Sequence, residues 1–321
     1  MNIRVWIHGE GRSGTSWLQK IFDHQPDVFS LFEPEARLPG KPAPAPRGVP
    51  YTPEDLRDYA ERIFASRDLR AVKKRPILRK AYRSALGHGL RTGLIYGEFA
   101  LEHVLRKTWR ANICLSVPDM VQYPPSHRVV KCVACPYPFN EMVSANQDIR
   151  FLCIIRHPCA TVHSTARGVG LGKMSKPYLP QRYLLDQFFS FDGGAYDISE
   201  EEFTIQELMA YRWAVYNGLV KKAADAHGNI RILRYEDLCN DPIGTMKDVF
   251  DWVDLPWHRN CEEFISDALL ADGDAKDYHS FKRNPLVAAE KWKTEMPAED
   301  QALVKSIARQ SPAAHLFPDL A

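Results

Sequence analysis

The sequence predicts a three-layer α/β fold, a P-loop-like parallel sheet flanked by helices. Two observations predict it. Short apolar runs alternate with longer segments of helical period, and the first run passes straight into a glycine-rich turn and a helix start. Ile3–His8 is that first strand, with a helix behind its turn over 15–22, and Val28–Phe32 is a second short strand. Residues 41–53 are rich in proline and read as loop. From 53 to about 86 the pattern is helical, with Pro53 and Glu54 suited to a first turn. Residues 128–133 and 151–155 read as buried parallel strands, the second an unbroken apolar run. Pro158 opens a helix over 158–167. A long helix over 202–226, a strand at Ile230–Arg234 and a helix over 241–253 complete the alternation. No internal repeat or break in composition divides the chain. One domain over 1–321 is expected, with insertions around 38–127 and 168–200.

Bulk composition excludes several classes. The 42 basic and 40 acidic residues leave a net charge of +2, without the basic excess of a general nucleic-acid binder. Seven cysteines, an odd number scattered along the chain, read as reduced thiols in a reducing compartment. The first strand begins almost at Met1 with no basic and apolar leader ahead of it. No uncharged apolar stretch approaches the ~20 residues of a membrane span. The expectation is a cytoplasmic protein with no membrane span and no nucleic-acid partner.

The sharpest local signal is Gly9-Glu10-Gly11-Arg12-Ser13-Gly14-Thr15-Ser16, between a strand and a helix. Glycines let a backbone turn its N–H groups inward, and a helix N-terminus adds partial positive charge, which together cradle a phosphate. Gly11, Ser13 and Gly14 shape the loop, Thr15 and Ser16 add hydroxyl donors, and Arg12 brings a planar guanidinium suited to phosphate or sulfate oxygens. The spacing of Gly9 and Gly14 matches a Walker A loop, but Thr15 stands where that motif carries lysine. A tight turn with a solvated arginine is the bland alternative.

A second signal follows the 151–155 strand. Arg156 ends it and Ser164 comes two helical turns later, which can set both near the carboxyl edge of the sheet, where α/β sheets bind ligands. A hydrolytic P-loop enzyme wants an aspartate at such a strand end to hold Mg²⁺. An arginine there suits a further anion, so no metal is expected. A surface arginine is the alternative.

These residues carry a resemblance. Gly9 to Ser16 resembles the 5′-phosphosulfate loop of sulfotransferases that use PAPS (3′-phosphoadenosine 5′-phosphosulfate). Arg156 with Ser164 resembles their 3′-phosphate motif, and Arg167 lies close to a further basic position of some members. Arg234-Tyr235-Glu236-Asp237-Leu238 is similar to the family's R-Y-E-D-L strand end, and Lys291-Trp292 to its late K-W. Asp27-Val28-Phe29-Ser30-Leu31-Phe32-Glu33-Pro34 resembles the D-V-F-x-L-F-E-P of carbohydrate 6-O-sulfotransferases, and Lys131-Cys132-Val133 their K-T-V strand. The marks run in order over roughly residues 5–293. The resemblance implies a sulfotransferase fold, PAPS as co-substrate, PAP as product, and a hydroxyl-bearing acceptor such as a carbohydrate. It assigns donor contacts to Gly11, Arg12, Ser13, Gly14, Thr15, Ser16, Arg156, Ser164, Arg167 and Tyr235. Two departures stand out. Arg156-His157-Pro158-Cys159 replaces the R-D-P-R of many members, and Val133 occupies the position where cytosolic members carry a catalytic histidine.

Sulfuryl transfer, like phosphoryl transfer, demands in-line positioning and charge stabilisation. Arg12 and the loop meet the phosphosulfate charge, and Lys131 at a strand end is the candidate cation for the leaving oxygen. The acceptor hydroxyl needs a base. Glu33 is the first candidate, aligning with the glutamate base of tyrosylprotein sulfotransferases, and Glu35 the second. A structural carboxylate, tying down a loop or pairing with Arg12, is the alternative for Glu33.

Weaker features carry less. Cys132-Val-Ala-Cys135 is a lone CxxC and reads as buried thiols. Residues 70–91 collect Arg70, Lys73, Lys74, Arg75, Arg79, Lys80, Arg83 and Arg91 with no acid among them. They read as a solvated helix face, with a rim for an acidic glycan or lipid phosphate as the alternative. Residues 168–200, with Gly193-Gly194 and several aromatics, read as a long variable segment over the acceptor. A P-loop kinase or NTPase, or a non-catalytic nucleotide-binding protein, are the competing functions. The missing loop lysine and strand-end aspartate stand against the first.

Overall fold

The computed structural model describes residues 2–36, 51–68, 71, 76–109, 117–133, 139–190, 203–270 and 284–320. The sheet has five strands: β1 (Ile3–His8), β2 (Val28–Phe32), β3 (His127–Cys132), β4 (Ile149–Ile155) and β5 (Ile230–Arg234). They lie in the order β2-β3-β1-β4-β5, parallel and flanked by helices. No helix among the described residues is long and apolar enough to cross a membrane.

The chain forms two compact units. The first comprises Met1–His8, Ser16–Leu152 and Val249–Phe264. In it β3 pairs in parallel with both β1 and β2, so Lys131 lies in register with Ile7 on one side and Phe32 on the other. The buried Trp6 ring packs against Tyr59, Phe64 and Phe151 at 5.9–6.3 Å between centroids. The helix Pro53–Ala65 opens at a capping box, with Thr52 and Asp55 each accepting from the other's backbone and proline in the first turn.

That helix corrects the expected helical span over 53–86. It ends at Ala65, where Ser66 turns extended, and residues 66–68 and 76–84 lie outside any helix before a new one over Ala85–Trp109. Tertiary hydrogen bonds explain the break. Lys80 Nζ donates to the carbonyls of Asp23 and Gln25, and Ala81 N–H donates to Pro26 O. A continuous helix would have kept the Ala81 N–H to itself; the Lys80 ammonium fastens the non-helical segment in place. The solvated helix face expected over 70–91 is corrected with it. Arg79 is exposed, but Lys80, Arg83 and Arg91 are buried. Arg70 and Lys73 to Arg75 lie outside the described residues, as do Cys135, Gly193-Gly194 and most of the 41–53 loop.

The second unit comprises Gly9–Thr15, Cys153–Asp248 and Ile265–Ala321. Its helix Pro158–Gly170 opens with proline in the first turn, as the sequence implied. The helix Ile205–Ala226 starts three residues later than expected, because Thr204 and Glu207 form a capping box that sets its first turn. Trp213 on this helix is buried, packs against Phe317 and donates its indole N–H to Arg156 O at 2.8 Å. Ser311 Oγ donates to Ala214 O, fastening the C-terminal segment to the same helix.

Candidate active site

The loop after β1 turns within a tight space in the second unit. A Cβ on Gly9 would lie 2.6 Å from Ile154 O, so only glycine lets the backbone pass. Gly14 adopts φ +98°, and a Cβ there would lie 2.3 Å from the Tyr235 ring. Ser13 closes the turn, its N–H and Oγ both donating to Glu10 O at 3.1 and 2.7 Å. Arg12 has φ 74°, a left-handed conformation that costs an L-residue about 1–2 kcal/mol and that gathers at ligand sites.

Two arginines bracket this loop. Arg12 Nε donates to Ser164 Oγ at 3.0 Å, and Arg156 Nη1 donates to Arg12 O at 3.1 Å. The Arg156 guanidinium lies 4.8 Å from the Tyr235 ring centre, and its Nη2 donates to Ala288 O. Arg156 Nε is buried with no partner among the described residues. A buried donor left unpaired costs about 1–3 kcal/mol, a cost that an incoming anion would remove. Arg12, Ser13, Gly14, Arg156, Ser164 and Tyr235 are thus brought together. Arg167 is on the same helix as Ser164 but exposed, its side chain without a hydrogen bond or ion pair to a described residue. Gly11 has open space around it, and Thr15 and Ser16 begin the helix Thr15–His24.

Several supporting residues escaped the sequence reading. Glu10 is buried and paired with Arg212 at 3.3 Å. Burial pushes its carboxyl above the usual range against the pull of that arginine. Arg212 in turn lies over the rings of Tyr178 and Tyr216 at 4.2 and 5.0 Å. Nothing local to Arg212 marked it, since its partners lie far away in sequence. His157, where many relatives carry aspartate, donates its backbone N–H to Glu236 and stacks flat on Trp292 at 4.4 Å. Burial pushes its imidazole down to about 4, so the ring is neutral at pH 7. The Lys291-Trp292 signal therefore supplies a stacking partner.

The first unit holds the other candidates. Lys131 is 2% exposed and its ammonium pairs with Glu33 Oε1. It also lies 4.1 Å from the centre of the Phe32 ring. Glu33 N–H donates to Lys131 O at 2.7 Å, and Glu33 has φ 48°, so backbone and side chain are both pinned beside the lysine. Pro34 then starts a short 3₁₀ turn that sends Glu35 elsewhere. Glu35 is buried, accepts the N–H of Val133 at 2.9 Å, and has its carboxyl pushed up by burial. Glu33 therefore pairs with Lys131, whereas the alternative weighed from sequence was pairing with Arg12. Cys132, in the lone CxxC, is buried, and His8 is buried and pushed down to about 4 by that burial.

Comparison with known proteins closes the question of family. A profile described as the sulfotransferase family matches residues 4–259. Human carbohydrate sulfotransferase 3 is 23% identical over 335 residues, covering 98% of this chain and 66% of the human protein. Mouse carbohydrate sulfotransferase 3 is 26% identical over 98 residues, 30% of this chain and 20% of the mouse protein. The matches thus span about two thirds of the human relative and a fifth of the mouse one. Among solved structures, a sulfotransferase domain from the Synechococcus PCC 7002 olefin synthase gives a TM-score of 0.47 at 14% identity, covering 96% of this chain and 94% of that one. Mouse sulfotransferase SULT7A1, complexed with PAP, gives 0.40 at 11% identity, covering 95% and 82%. With the family profile matched over most of its length, the chain belongs to the sulfotransferase family.

Proposed function

We propose that this protein transfers the sulfuryl group of PAPS to a hydroxyl of a carbohydrate or glycosylated metabolite and releases PAP. One observation carries the reading. The second unit folds two arginines and a glycine-rich turn into one cradle, and leaves a buried Arg156 donor without an acceptor among the described residues. These residues fit an anionic nucleotide. Arg12, Ser13 and the loop N–H groups suit the 5′-phosphosulfate, and Arg156 with Ser164 the 3′-phosphate. Bound PAPS supplies an activated sulfuryl group on a good leaving group. The chain's residues supply the rest.

Glu33 takes the proton of the acceptor hydroxyl as its oxygen bonds to sulfur. Lys131 meets the negative charge that grows on the oxygen leaving sulfur. Their ion pair prepares both roles. When Lys131 turns to the leaving oxygen, the Glu33 carboxylate is released to act as base. Glu35, held by Val133 N–H, sets the turn that orients Glu33. The carbohydrate acceptor is supported by the similarity to carbohydrate sulfotransferase 3 and by the D-V-F-x-L-F-E-P likeness around Glu33. A cytoplasmic site of action is part of the same proposal. Incubation with ³⁵S-labelled PAPS and a panel of neutral and acidic sugars tests it. Label should pass to a sugar hydroxyl in wild type and not in Lys131→Ala. Absence of transfer to any sugar, with transfer to a phenol or a peptide tyrosine, would move the acceptor to another class.

A further inference from the structure

The first unit contains a second place that wants an anion. A cavity of about 40 Å³ is lined by Gln19, Phe29, Ser30, Tyr82, Arg83 and Arg91, together with Asp23 and Lys80. Arg83 is 6% exposed and Arg91 4%. Asp23 is already engaged, with Lys20 at 3.1 Å and Lys80 at 3.3 Å. Burial alone would raise its carboxyl, but these two ammonium groups hold it below the usual range. Asp119 sits 3.6 Å from Arg128 and 3.9 Å from Arg67.

Among the described residues no carboxylate hydrogen-bonds to either guanidinium, although Asp119 and Asp23 act on Arg91 through space. Arg83 Nε donates only to a backbone carbonyl, that of Asp119 at 2.9 Å, and the rest of the group lies over the Tyr82 ring at 4.7 Å. The Arg91 side chain has no hydrogen bond or ion pair to any described residue, and its Nε is fully buried without an acceptor. Burial, and then the neighbouring Arg83, push the Arg91 guanidinium down to about 10. Buried charges in proteins are paired or hydrogen-bonded, because leaving one uncompensated is far costlier than leaving a neutral group so. Two such charges around one cavity leave a place for a divalent anion.

Size and neutral donors agree. A water needs about 10–15 Å³ of cavity measured this way, so the space holds roughly three waters or one tetrahedral oxyanion. Gln19 Nε2 donates to Ser30 Oγ at 2.8 Å, while Gln19 Oε1 is buried without a partner. Turning that amide over would let Ser30 donate to Gln19 and free an N–H₂ for the ligand.

We propose that the cavity lined by Arg83, Arg91, Gln19 and Ser30 is a second anion site, which takes one sulfate or phosphate group, as the free ion or as a monoester. It is built entirely within the first unit and rests on no part of the donor reading. Ser30 lies on β2, and Glu33 follows that strand's last residue, three positions on from Ser30.

The test is binding of ³²P-labelled inorganic phosphate by equilibrium dialysis, at constant ionic strength made up with chloride, with a sugar phosphate monoester as competitor. The protein carries Arg12→Ala and Arg156→Ala to remove the cradle. One saturable phosphate site should remain, competed by sulfate, and Arg91→Met should weaken it at least tenfold. Displacement by the monoester identifies an anchor for an esterified ligand; displacement by inorganic ions alone identifies a free-ion site. Arg91→Met should also melt no lower than its parent without phosphate, since an uncompensated buried charge is gone, and should lose the phosphate-dependent rise in Tm. Ser30→Val, which keeps both guanidiniums and narrows the cavity with a strand-favouring residue, should likewise lose binding, so the claim survives poor folding of the arginine variant. No saturable site in the cradle-less protein, or a site untouched by both Arg91→Met and Ser30→Val, overturns the proposal. A failure of the donor reading would appear separately, as nucleotide binding that Arg12→Ala and Arg156→Ala leave unchanged.

Discussion

The two compact units hold their interior charge in different ways. In the second, the cradle's own arginines come from a contiguous turn and one strand end, while Arg212 joins Glu10 from a separate helix. Gly9 to Thr15 form the loop, and Arg156 and Ser164 reach it from β4 and the helix behind it. In the first, they are gathered from distant segments. Lys131 on β3 meets Glu33 after β2, and Arg83 and Arg91 close on Gln19 and Ser30. The contrast teaches where sequence signals live. A cradle made of consecutive residues leaves a motif, while a charge cluster made of separate segments leaves only composition.

Substitutions can sharpen that contrast, and the largest effect is expected at Glu33. Glu33→Gln keeps the shape and removes the proton acceptor, so kcat should fall by about 10²- to 10⁴-fold with PAP affinity little changed. It also strands the buried Lys131. Stability should drop, though by less than the roughly 3–5 kcal/mol of a fully buried pair, because the Glu33 side chain is 30% exposed. The double variant Glu33→Gln, Lys131→Met should recover melting temperature and no turnover. Wild-type kcat in Glu33→Gln, with loss in Glu35→Gln, would instead make the second glutamate the base.

Arg156→Ala comes next. One charge-assisted hydrogen bond contributes about 1.5–3 kcal/mol, so PAP should bind roughly ten- to a hundred-fold more weakly. Adenosine 5′-phosphosulfate, which lacks the 3′-phosphate, should lose much less in the same calorimetric comparison. Equal losses would remove Arg156 from the 3′-phosphate.

A smaller effect separates backbone from charge in the cradle. Gly14→Ala introduces a Cβ into the Tyr235 ring at φ +98° and should cost about 1–3 kcal/mol of stability by denaturant unfolding. Gly11→Ala meets nothing within 4 Å and should cost less than 1 kcal/mol.

Acid should weaken both units. His8 in the first and His157 in the second are held neutral by burial, with values near 4 against an ordinary 6.5. The unfolded chain binds more protons than the folded one between those values. Their contribution is therefore complete above pH 6.5 and is lost as pH falls toward 4, by up to about 3 kcal/mol each. Melting curves at pH 7.5 and 5 should show the loss, and His8→Gln should reduce its slope.

Much of the fold was legible in the sequence. β1, β2 and β5 fall where their apolar runs placed them, because a buried parallel strand needs a short continuous run and a turn behind it. β3 shifted by one residue, its start set by pairing with both neighbours. The helix expected over 53–86 failed because the Ala81 N–H and the Tyr82 carbonyl have backbone partners, Pro26 and Gln122, that no periodicity shows. At the site, Arg12, Ser164, Arg156 and Tyr235 were visible as motifs and come together. Arg212, the Glu33–Lys131 pairing and the Arg83–Arg91 cavity were not, since each depends on contacts distant in sequence.

The central claim is that the cradle of the second unit receives a 3′-phosphorylated nucleotide. Isothermal titration of the purified chain with PAP in the presence of EDTA, alongside ATP with Mg²⁺, tests it most directly. The account predicts one saturable PAP site without metal, weakened by Arg12→Ala and by Arg156→Ala, and weaker binding of ATP with Mg²⁺. Tight binding of ATP with Mg²⁺ and none of PAP would contradict it, and would return the loop to a kinase or NTPase.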